Sequence, residues 1–264
     1  MITSNPIADL SAFIPPIAMQ LYVIAMAILV VAGTILDTLH KKSARYFFEN
    51  AKKTQANAQR RLGSGEKASI AFKTAAEDVL ASGEFCNPKR RIAHLLTMYG
   101  FIIFLVTTVV LVFGYPTPET TAPALVPLLW HLGALMVCTG GYWFWFAIRV
   151  DVAAEGYPWY RVVRADLFIL SLLATTTLAL VWSFLQSSDA GVWATLFFWL
   201  FVLASTVLFG GVMWSKFAHM FYKPAAAYQR RLAEADGSRD GLPPPADAPG
   251  KFGLGIKREL PRHY

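Results

Sequence analysis

The chain has 264 residues, 55% hydrophobic and 14% aromatic, with only 16% charged and a mean hydropathy of +0.43. That balance excludes an ordinary soluble domain, in which about 25% of residues are charged. The formal net charge of +7 does not form a nucleic-acid-binding stripe either, because the basic residues gather between apolar runs.

The stretch MITSNPIADL has no basic residue ahead of the first apolar run, so residues 1–15 do not read as a cleavable signal peptide. The first run covers 16–39, with Pro15 and Pro16 at a favourable helix start. A bilayer core takes about 20 apolar residues as a helix. Runs at 92–114 (stopped by Tyr115-Pro116), 125–148, 166–186 and 193–222 also meet that length. Backbone in lipid must satisfy its own hydrogen bonds, so all are predicted as helices. The expected fold is an all-α integral membrane protein, a five-transmembrane-helix bundle over residues 16–224. No repeat relates its halves, and almost no ionisable residue lies deep in a span, which argues against a transporter or channel.

Two polar segments flank the spans. Residues 40–91 include EKASIAFKTAAEDVLASGEF, where Ile70, Phe72, Val79 and Leu80 predict a short amphipathic helix. It reads as a helix resting on membrane lipid, or as a docking face for a soluble partner. Residues 225–264 contain GSRDGLPPPADAPGKFGLGIKRELPRHY, rich in Pro and Gly, and read as a disordered tail.

Lys and Arg orient the bundle. There are none before the first span, twelve in 40–91 and none in 115–124. The 149–165 loop has three, 187–191 has none, and the chain from Lys216 onward has nine. The positive-inside rule then predicts a multi-pass protein with the N-terminus outside and the C-terminus in the cytoplasm.

The two cysteines, Cys86 and Cys138, form no CxxC pair, which excludes a cysteine-held iron–sulfur cluster in this chain. The histidines are more informative. His94 follows NPKRRIA at the start of the second span, and His219 sits in SKFAHMFYKP near the predicted end of the fifth. A histidine at a helix end needs no ligand. Two at matched depth can also be the axial ligands of a b-type haem. Lys89, Arg90, Arg91 and Lys216 are placed to neutralise its propionates, and Gly100 to let a porphyrin approach the helix. His40, at the end of the first span, is the rival ligand. His131 lies about 25 Å from the His94 level at 1.5 Å per residue; it caps its helix or lines an outward quinone pocket with Trp130. His263 belongs to the tail. Asp166 suits a helix N-terminus, and Gly140 and Gly141 suit close helix packing.

RRIAHLLTMYGF and SKFAHMFYK resemble the signatures of the NarI-like membrane cytochrome b subunits. That family includes the gamma subunit of respiratory nitrate reductase and the membrane subunit of the quinone-interacting oxidoreductase complex. The resemblance implies five spans with the N-terminus outside, and His94 and His219 as ligands of the cytoplasmic-side haem b. The outer ligands fall on Phe104 and Phe201, so one haem is expected, not two. It further implies electron transfer to quinone from a soluble cytoplasmic flavin and iron–sulfur oxidoreductase, with adenylylsulfate reductase the expected partner. The alternative is a haem-free membrane anchor that only tethers that enzyme.

Overall fold

The computed structural model describes residues 2–40, 43–83, 85, 87–151, 156–217 and 219–239. Every regular element among them is helical. They fall into two compact units, the described residues of 2–37 with 92–217, and those of 38–91 with 219–239.

The first unit holds the membrane bundle. Its spanning helices are α1 (Pro16–His40, whose last residues belong to the second unit), α4 (Pro88–Gly114), α5 (Leu125–Trp143), α6 (Leu167–Ser187) and α7 (Val192–Gly210). A π-helical turn at Phe144–Ile148 carries the third span on to Ile148, and a 3-10 turn at Arg164–Asp166 leads into the fourth. All five spans are long and apolar enough to cross a bilayer. Lipid gives apolar helices no hydrophobic reason to associate, so close packing and interhelical hydrogen bonds must hold the bundle. Both are present. A Cβ on Gly100 would lie 2.7 Å from the Gly133 carbonyl oxygen and 2.8 Å from the Val137 nitrogen, so α4 and α5 touch backbone to backbone. Gly140 likewise meets Ala93 and Thr97, while Gly141 accepts the Leu173 side chain, which is the packing use expected of that pair. Tyr22 donates to the Val202 carbonyl at 3.0 Å, and Tyr142 shares a 2.8 Å hydrogen bond with Thr177.

The N-terminal segment is built into this unit. A 3-10 turn at Ala8–Ala12 buries Ile7 and Leu10 in the bundle's core. Asn5 donates to the Tyr115 carbonyl at 2.8 Å, and Gln186 donates to the Pro6 carbonyl at 2.7 Å.

The second unit comprises α2 (Ser43–Ala56), α3 (Ser64–Lys73), a π-helical turn at Thr74–Leu80, and α8 (His219–Ala235). The amphipathic helix expected within 66–85 forms, with Phe72 left 77% exposed. The unit is joined by charge as well as packing. Arg231 of α8 binds Asp78 at 2.6 Å and Glu77 at 2.8 Å, and these hydrogen bonds, Asp78's first, raise its pKa above the ordinary guanidinium value.

Two sequence expectations are corrected. The fifth span does not run to residue 222; α7 stops at Gly210 and a 3-10 turn follows at Val212–Trp214. Gly210-Gly211 is a poor helix interior. Beyond it Val212 and Phe217 are buried, Phe217 edge-on to Phe168 at 5.3 Å, which draws the chain back against the bundle. Residues 225–235, placed by sequence in the disordered tail, belong to α8; residues 240–264 lie outside the described residues.

Candidate functional site

The expected haem ligands sit in different surroundings. His94 is half-buried on α4 in the first unit, and His219 is half-buried as the first residue of α8 in the second. His219 therefore opens α8 and does not lie on the fifth span. His40 closes α1 and is exposed. Lys89 and Lys216 are exposed. Arg91 donates to the Ala81 carbonyl at 2.8 Å, and Arg90 lies over the Phe85 ring at 5.8 Å.

Gly100 has a different neighbour from the one expected of it. The space beside its Cα, assigned by sequence to a porphyrin, is filled by α5.

The positions of the missing outer ligands are filled by side chains. Phe104 and Phe201 belong to one aromatic cluster. Phe104 lies 5.1 Å from Trp130, which meets Trp182 edge-on at 6.2 Å. Trp182 stacks on Phe201 at 5.6 Å with an 11° interplanar angle, and also touches Phe198 at 5.2 Å. Trp130 and Trp182 are fully buried. Offset and edge-on ring pairs contribute about 0.5–1.5 kcal/mol each beyond their contact area, so the cluster stabilises the bundle in its own right.

His131 lies beside this cluster and is 6% exposed. Its Nδ1 is 2.7 Å from the Pro127 carbonyl oxygen and its Nε2 is 2.8 Å from the Ser183 hydroxyl. Trp130 gives its indole N–H to Thr108 at 2.9 Å. Both residues spend their polar atoms inside the protein, and His131 ties α5 to α6. Among the described residues both side chains are buried, with no exposed face turned outward.

Sequence reasoning missed a buried ion pair. Arg149, completely buried, donates to Asp166 at 2.6 Å and to the Arg161 carbonyl at 2.8 Å, and it lies over the Trp145 ring at 4.1 Å. Asp166 also accepts the Val163 N–H at 2.9 Å, so its place at a helix start is only part of its role. The signal was available: Arg149 directly follows an apolar run and Asp166 directly precedes one.

Among the described residues no three His, Cys, Asp or Glu side chains gather to hold a metal ion, and Cys86 lies outside them. What the geometry defines is a class, a multi-pass α-helical membrane protein whose chain also forms a second, charged helical unit. No family model, curated protein or solved structure matches the chain.

Proposed function

We propose that this chain is a membrane anchor that holds a soluble oxidoreductase at the bilayer surface. The observation that supports it most is the division of labour between the two units. One is an apolar bundle whose interior is filled by its own aromatics and helix contacts. The other is a set of short helices carrying fourteen Lys and Arg against six Asp and Glu among the described residues. A filled interior suits holding, not conducting. The resemblance of RRIAHLLTMYGF and SKFAHMFYK to NarI-like membrane subunits suggests the kind of enzyme held. That enzyme is a flavin and iron–sulfur protein that delivers electrons to quinone, with adenylylsulfate reductase in sulfite oxidation the first choice. The alternation of basic loops supports a cytoplasmic charged unit, and the resemblance to NarI-like subunits supports a bundle in a bacterial inner membrane.

Phe104 and Phe201 bear only on an outer haem, which was not expected, whereas the space beside Gly100, expected to admit a porphyrin, is covered by α5. The anchor is accordingly proposed without one. Its task is positional: the bound enzyme's own redox centre is kept beside the membrane, where quinone dissolves.

Membrane sedimentation tests this reading. In cells making the chain, sulfite oxidation that depends on AMP should pellet with the membranes. In cells lacking it, the same activity should move to the supernatant. Activity that pellets equally in both contradicts the anchor.

A further inference from the structure

Within the second unit, α2, α3 and α8 surround a cleft of about 620 Å³. Its charges are uneven. Arg60, Arg61 and Lys67 line it, against the single carboxylate of Asp236. Arg60 is already neutralised by both carboxylate oxygens of Glu66 and is held by the Ala235 carbonyl at 2.7 Å. Asp236 is 7% exposed and accepts the Ser238 N–H at 2.9 Å, so it is turned into the protein. Arg61 and Lys67 are exposed, and neither has an ion-pair partner among the described residues. Leu62 and Leu232 add apolar surface, and Gln55 and Gln229 offer amide donors and acceptors of the kind a peptide backbone needs.

We infer that this cleft receives an acidic peptide segment of the soluble partner, clamped between Arg61 and Lys67. The inference rests on the anchor reading and names how the anchor grips. A flat lipid surface does not fill a concavity, whereas an extended segment does. Of the chain's own residues after Arg239, the last fourteen carry four Lys and Arg against one Glu and are disfavoured by charge, whereas residues 240–250 carry Asp240 and Asp247 and no Lys or Arg. A rise in peptide binding on deleting residues 240–264 would assign the cleft to them instead. Opposite charges across a contact chiefly set partner choice and association rate, and exposed pairs weaken with salt.

The test uses the full chain in nanodiscs of phosphatidylcholine, with a fluorescein-labelled peptide of alternating Asp and Leu as the probe, read by anisotropy. Arg61→Glu with Lys67→Glu should weaken binding by about tenfold or more, while Lys52→Glu with Lys53→Glu, the same charge change on α2 outside the cleft, should alter it by about twofold or less. Circular dichroism checks that the helices survive in each variant. Equal loss in both variants, no loss in either, or no binding by wild type overturns the cleft. So does loss of binding when phosphatidylserine is added to the nanodisc, which makes the basic unit a lipid-binding surface. Sedimentation separates this inference from the one beneath it. If the enzyme still pellets with the Arg61→Glu/Lys67→Glu chain, the cleft inference falls and the anchor stands. If wild type holds no enzyme, the anchor reading falls and takes the proposed occupant with it.

Discussion

Gly100 shows how a single missing methyl group is read differently in one dimension and in three. A glycine on an apolar helix beside a histidine suits a flat cofactor, and equally suits a neighbouring helix. The contacts with Gly133 and Val137 select the second. Gly100→Leu should therefore force α4 from α5 and cost about 1–3 kcal/mol as overpacking does, seen as a lower melting temperature in detergent. An unchanged melting temperature would mean that the glycine faces open space. Arg149 and Asp166 make the opposite case, where bulk and charge are both required. Arg149→Met leaves Asp166 without its cation and should destabilise by about 3–5 kcal/mol, whereas Arg149→Met with Asp166→Leu should recover much of that loss. Thermal melts of the two single variants and the double variant check it, and simple additivity would show that the pair is not coupled. Residue types at span ends were legible in the sequence. Their pairing was not, because Arg149 and Asp166 lie seventeen positions apart and only the folded loop brings them together.

At the scale of elements, the four spans before the fifth were legible because lipid imposes both a length and an apolar composition. The end of the fifth was not. SKFAHMFYKP continues the apolar trend, and Pro224 looks like a terminator, yet it lies inside α8. The break depends on Gly210-Gly211 and on the burial of Val212 and Phe217, which is tertiary information. On α8 the exposed positions Lys223, Ala226, Arg230 and Glu234 recur at helical spacing, with Ala233 buried. In a background lacking Cys86 and Cys138, single cysteines at those four positions should label quickly with a membrane-impermeant maleimide on the accessible side. Cysteine at Ala233 or Leu208 should label slowly. Uniform protection from 211 to 222 would restore the long fifth span.

The two units differ in what their composition reveals. The bundle's existence is plain from hydropathy, whereas the charged unit is assembled from helices far apart in sequence, as Arg231 with Asp78 illustrates. Its orientation is testable from the loops alone. A reporter fused after Tyr264 should be active only in the cytoplasm, and one inserted at Thr120 only outside; the reverse pattern would invert the proposal. Whether the chain tethers or conducts is decided most directly by a reduced-minus-oxidised spectrum of the purified protein, produced with haem available. The proposal of an anchor without a haem predicts no b-type band from this chain. A Soret band that disappears in both His94→Ala and His219→Ala would contradict it, and would make the anchor a cytochrome.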